Sequence, residues 1–282
     1  MALLSAACYG AADFVGGLTS RRASTIAVVL VSQFSGFLLL TMALVWLPAA
    51  SPTRSDLLWG TVAGITGGIG IGLLYAALAI GTMAVVAPIT AVCAVAIPVL
   101  AGVVAGDRLT ATRGVGIVLA MIAIVLVSQQ PANGGTRPLS DDERRLVPPG
   151  VAYALASGVG IGLFFLALAR TGASAGLWPL LFARGAGVTL FAVAALVNRA
   201  KFRLPPAAFG AAAGGGVLDV SANVLYVLAT RVGPLSSVVT LASLYPASTV
   251  VLARVVLGER LGWLQVGGIA CALVAVVLIV KV

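Results

Sequence analysis

Three charged side chains lie inside long apolar runs of this sequence, Asp13, Arg184 and Asp219, with a fourth, Arg254, nearer the end of its run. A charge in hydrocarbon is costly, so each is a candidate functional group. Asp219 carries the most chemistry. Asn223, Tyr226 and Thr230 follow it at steps of four, three and four residues, which puts all four on one helix face. An acid, an amide, a phenol and a hydroxyl on one stripe suit a polar ligand or a proton. Asp13 shares a face with Ser5 and Tyr9 at steps of four. Arg184 is the natural counter-ion for a buried acid, and its guanidinium also receives a carboxylate or phosphate bidentately. The three charges can form a network that closes only when ligand or proton is absent. Plainer readings stand beside these. Asp219 can be neutralised by an arginine for packing alone. Asp13 lies past the middle of a short run and so near a surface.

The elements that must position these groups are apolar helices. Apolar residues make up 61% of the 282 residues and charged residues 9%, against about a quarter charged in a soluble domain. Mean hydropathy is +1.14. One helical span takes about 20 apolar residues, which leaves room for about ten spans and no sizeable soluble domain. The runs read as spans at roughly 2–20, 25–47, 57–80, 84–105, 113–129, 149–169, 175–197, 206–230, 234–257 and 262–281. They are continuous, without the alternation of barrel strands. Met1 leads into the first run with no basic segment before it, so this run reads as a helix of the protein and not as a cleaved leader. Arg170 and Arg231 sit at span ends, where long cations reach the interface.

Composition also excludes chemistry. The chain has no histidine and three cysteines at non-motif spacing, Cys8, Cys93 and Cys271, so no metal site, disulfide framework or His-based triad is expected. No Gly-x-Ser-x-Gly elbow occurs. The run Gly67-Gly68-Ile69-Gly70-Ile71-Gly72 lacks the strand, the soluble helix and the Gly-Lys-Ser/Thr of a nucleotide loop. Neither a cofactor nor an enzyme is therefore expected. The net charge of +9 comes from basic residues scattered between apolar runs, which fits membrane loops and not nucleic acid.

The sequence also repeats itself. Gly81 to Val127, moved along 152 positions, falls on Gly233 to Ile279, with roughly a third of positions identical. The polar stretch 130–148, with Asp141-Asp142-Glu143-Arg144-Arg145, reads as a linker between units at 1–129 and 149–282. Five spans is an odd number, so the second unit must enter the membrane from the opposite side. The expected fold is an all-α integral membrane protein of ten transmembrane helices arranged as two inverted-topology five-helix repeats, with its site at mid-membrane between them. Glycine faces should pack these helices closely: Gly60, Gly64, Gly68 and Gly72 with Ala76, then Gly158 with Gly162, and the matched pairs Gly116/Ala120 and Gly268/Ala272. Spans four (Pro88, Thr90, Cys93, Pro98) and nine (Ser236, Ser237, Thr240, Ser243, Tyr245, Pro246, Ser248) carry hydroxyls that either line a cavity or satisfy local carbonyls.

Each unit has a Gly-Asp/Glu-Arg-Leu turn before its last helix, Gly106-Asp107-Arg108-Leu109 and Gly258-Glu259-Arg260-Leu261, the latter followed by Gly267-Gly268. These read as structural turns. Together with the duplication and the span count they resemble the EamA family of the drug/metabolite transporter superfamily, over nearly the whole chain. The resemblance implies ten helices around a central cavity, export or exchange of amino acids or other small metabolites, and both termini in the cytoplasm. It supplies no motif for Asp13, Arg184 or Asp219. Basic residues count the other way on orientation. The loops that face inside with termini outside hold about nine (Arg21, Arg22, Arg137, Arg144, Arg145, Arg199, Lys201, Arg203, Arg260), against about six for the reverse (Arg54, Arg108, Arg113, Arg170, Arg231, Lys281).

The function this supports is a secondary transporter of a small-molecule substrate in a cytoplasmic-type bilayer, working by alternating access, with proton coupling through Asp219 or as a solute exchanger. A channel-like or non-transporting scaffold is the alternative reading. Nothing in the sequence assigns the substrate or the oligomeric state.

Overall fold

A chain that crosses lipid must satisfy its backbone internally, and helices do this within one segment. The computed structural model of the protein describes residues 1–46, 50–104, 110–127, 150–199, 204–232, 242, 244–259 and 262–280, and these contain helices and no strands. In chain order the helices are α1 (Ala2–Ser20), α2 (Thr25–Trp46), α3 (Arg54–Ile80), α4 (Met83–Val104), α5 (Ala111–Val127), α6 (Val151–Leu168), α7 (Trp178–Val197), α8 (Pro206–Val232), α9 (Tyr245–Leu257) and α10 (Trp263–Val280), with a short 3-10 turn at Ala173–Ala175. Among the described residues six stretches are long and apolar enough to cross a membrane: α1, α2, α3, α6, α7 and Pro206–Tyr226 of α8. Met83–Ile97, Tyr245–Leu257 and Val266–Leu278 are shorter apolar helical stretches.

Helix ends follow local chemistry. Thr53 and Asp56 form a reciprocal capping box at the start of α3. The same Asp56 carboxylate accepts from the Gly172 N–H at 2.7 Å, which ties the α6–α7 loop to α3. Proline opens α7 and α9 at the position where a missing N–H costs nothing. Arg170 lies 5.7 Å over the Trp59 ring at this same end.

The packing is reciprocal. α1 packs on α8 and α9 as α6 packs on α3 and α4, and α2 lies against α8 as α7 lies against α3. α2 meets α7, α4 meets α9 and α5 meets α10. One hydrogen bond occurs twice. Ser5 Oγ donates to the Ala222 carbonyl and Ser157 Oγ to the Gly70 carbonyl, each at 2.8 Å, with donor and acceptor positions 152 apart.

The glycine faces sit where their spacing places them. Gly60, Gly64, Gly68 and Gly72 meet Pro179, Ala183, Gly187 with Leu190, and Phe191 of α7. A methyl group on Gly64 would overlap Ala183 backbone, and one on Gly216, 152 positions on, would overlap Ser32 backbone. Gly158 and Gly162 receive Cys93 and Ile97 of α4. Ala120 and Ala123 join Ala272, Ala275 and Val276 in a small core between α5 and α10. Large apolar side chains such as Met42, Ile69, Val118, Val125, Val255 and Val256 are left exposed on the outside, as a lipid-facing surface requires.

Several expectations fall outside the described residues: the linker 130–148, the Gly106-Asp107-Arg108-Leu109 turn, Arg260-Leu261, and Ser236, Ser237, Thr240 and Ser243. The side chains of Pro98, Thr230 and Arg231 do so too.

Candidate functional site

Arg184 comes from α7 and Asp219 from α8, and their side chains form an ion pair. Both are largely buried, with side chains 13% and 15% exposed. The other arm of the guanidinium donates Nη1–H to Gln33 Oε1 of α2 at 2.7 Å. Arg184 is therefore gripped from two sides, by a carboxylate and by a neutral amide. Glycine makes the arrangement possible: a Cβ on Gly187, one turn on in α7, would sit 3.1 Å from Gln33 Nε2. Removing one partner of such a pair leaves a buried charge uncompensated, at about 3–5 kcal/mol.

Asp13 of α1 faces this pair. It is 7% exposed, enclosed by neighbouring helices. The close approach of α1 to α3 and α9 is the cause: Gly10 lies against Tyr245, Ser248 and Thr249, and Gly16 against the Tyr75 ring. Asp13 is within electrostatic range of Asp219, and makes no ion pair or hydrogen bond among the described residues. The three charges expected from the sequence are thus brought together, with two in contact and the third beside them.

The polar stripe after Asp219 is less uniform than its spacing implied. Asn223 Nδ2 donates to the Asp219 backbone carbonyl at 2.8 Å, so its amide folds back on its own helix and does not join the carboxylate. Tyr226 packs beside Ala2 and Ala229. Tyr9 meets Tyr245 edge to face, with ring centroids 6.2 Å apart. Ser5, on the Asp13 face, is committed to the Ala222 carbonyl. Arg254 is exposed in the last turn of α9, where a cation complements the carbonyl end of a helix. Thr90 Oγ1 donates to the Ala154 carbonyl at 3.2 Å. That hydroxyl joins α4 to α6 and does not line a cavity.

Sequence reasoning missed two residues here. Gln33 is an amide in the apolar α2, a signal of the same kind that singled out Asp13. Tyr75, 2% exposed, lies in the field of Asp13, Asp219 and Arg184. Tyr245, one of the hydroxyls the sequence places in span nine, is the residue that meets Tyr9 edge to face. No metal-ligating cluster of His, Cys, Asp or Glu occurs among the described residues. A cleft of about 630 Å³ lies between α2, α3 and α7, lined by Phe37, Ile65, Phe182 and Leu190 with no charged side chain. Neither Arg184 nor Asp219 lines it, and it opens to the outside.

Multi-pass apolar helices closed around a buried ionic cluster define the class: a polytopic helical membrane protein with a polar centre. The model of the EamA-like transporter family matches residues 1–129 and 148–281. The chain belongs to that family, and it is a multi-pass membrane transporter. A search of curated proteins gives no match.

Proposed function

We propose that the chain is a secondary transporter of small polar metabolites such as amino acids. It would be built from ten spans as two inverted repeats and act by alternating access in a cytoplasmic-type membrane. The observation that carries this is the buried Arg184–Asp219 pair, held by Gln33 of α2 and faced by Asp13 of α1. The cluster draws on both proposed repeats and has no structural task that an apolar core would not fill better. The reciprocal helix pairings and the twinned Ser5–Ala222 and Ser157–Gly70 bonds support the inverted repeat. So do the two separate stretches matched by the family model.

The roles divide by charge balance. Arg184 is the receptor for a substrate carboxylate or phosphate, which would displace Asp219 from one face of the guanidinium. Asp219 closes the pair when the site is empty. Among the described residues Asp13 is the buried acid without an ion pair or hydrogen bond, so the coupling proton, where one is used, belongs on Asp13 more than on Asp219.

Counterflow in proteoliposomes tests the reading. Vesicles loaded with pooled amino acids and related metabolites receive trace labelled members outside. Saturable uptake that depends on internal solute is expected. Its absence with folded protein and wider pools, or currents far above carrier turnover, would instead support the scaffold or channel.

A further inference from the structure

Glu259 does more than complete a turn. It follows Gly258, whose left-handed backbone (φ 65°) ends α9, and its N–H donates back to the Ala253 carbonyl at 3.4 Å. That turn carries the Glu259 carboxylate across to α4. Oε1 accepts from the Met83 N–H and Oε2 from the Ala84 N–H, both at 3.1 Å. These are amides of the first turn, which have no partner inside their own helix, and the helix dipole favours an anion there. Arg21, immediately after α1, completes the group. Its Nε donates to the Leu78 carbonyl at 3.2 Å, and Nη2 to the Gly81 carbonyl at 3.1 Å and to Glu259 Oε1 at 3.5 Å. One guanidinium and one carboxylate thereby join the ends of α1, α3 and α9 to the start of α4.

The packing beneath this group reaches Tyr75, which lies in the field of the ionic cluster. Gly16 and Gly17 let α1 settle on Tyr75 and Leu78 of α3, and both of these side chains are buried. At the positions 152 residues on, Leu168 and Ala169 replace the two glycines. Among the described residues α6 makes no comparable packing on α8, so the α1–α3 contact has no counterpart there in the second half. It also carries a local penalty. The Ser20 hydroxyl, next to Arg21, is buried without a hydrogen-bond partner, and an unmade buried bond disfavours the state that contains it.

We propose that Arg21 and Glu259 form an ionic latch that holds this end of the transport path shut, and that its release opens the path towards Asp13 and Asp219 from that side. The latch rests on the transporter reading. Its test measures closure with no substrate present, so a failed latch and a failed transporter give different results.

The reporter is Ser20→Cys in protein whose Cys8, Cys93 and Cys271 are replaced by alanine, held in nanodiscs and labelled with a water-soluble maleimide. Slow labelling is expected with the latch intact. Glu259→Gln and Arg21→Gln should each accelerate it about tenfold, and the double variant should gain little more than either alone. Arg21→Lys, which keeps the charge, should recover part of the slow rate. A second reporter, Ser157→Cys at the α3–α6 contact, should stay slow in every variant. Unchanged labelling at Ser20 in both glutamine variants overturns the latch. Equal acceleration at Ser157 overturns it too, because that would mean general loosening of the bundle.

Discussion

Position by position, the two halves agree where backbones meet and differ where chemistry sits. Gly64 and Gly216 occupy equivalent places, and each lies against a neighbouring backbone. Ser5 and Ser157 make the same bond. At the centre the agreement stops. Asp219 stands where the first half has Gly67, Arg184 where it has Ser32, and Asp13 of the first half corresponds to Phe165. Close helix packing is a demand both halves share, and small residues meet it in the same way twice. A substrate or a proton makes no such symmetric demand, so each charge is free to appear without a counterpart in the other half.

The comparison can be broken most forcefully at the shared glycines. Gly64→Val and Gly216→Val should both abolish folded, monodisperse protein, because each places carbon inside a neighbouring backbone, which cannot give way as a side chain does, so the cost exceeds the about 1–3 kcal/mol of overpacking a pliable core. Size-exclusion chromatography after purification reads this. Tolerance of one and not the other would end the equivalence of the halves. Arg184→Ala comes next. It should destabilise by about 3–5 kcal/mol, by leaving Asp219 buried and unpaired, with Asp219→Asn in the same chain restoring the thermal transition but not transport. Ser5→Ala and Ser157→Ala should cost the same as each other, about 0.5–1.5 kcal/mol, in thermal unfolding. The smallest effect belongs to Gly214→Ala in α8, where an added Cβ meets nothing. It should stabilise slightly, by up to about 1 kcal/mol, through helix propensity alone.

Much of this was legible before any coordinates. Continuous apolar runs gave the helices, and a four-residue glycine period gave the close-packing face of α3, because both depend on spacing alone; that α7 fills it came from the structure. The Arg184–Asp219 pair was also accessible, since a lone buried acid needs a cation and few were on offer. The enclosure of Asp13 was not legible, because the place of a residue along a short span says nothing of the helices around it. Gln33 and Tyr75 went unnoticed for a related reason: a polar side chain in an apolar helix has the same sequence signature whether it faces the centre or the lipid. Thr90 and Asn223 show the converse. Their polar atoms are used up on carbonyls, one across a helix contact and one within its own helix, and no pattern of residue types separates those uses from ligand binding.

The most direct test of a chemically asymmetric centre in the proposed two-repeat frame is counterflow by Asp219→Asn beside the wild type, in matched proteoliposomes with the thermal transition checked first. The account predicts a folded variant whose saturable uptake falls below about a tenth of wild type, a loss of roughly 1.4 kcal/mol or more. Wild-type uptake with an unchanged pH response in that variant would contradict it, and would leave the Arg184–Asp219 pair as packing alone.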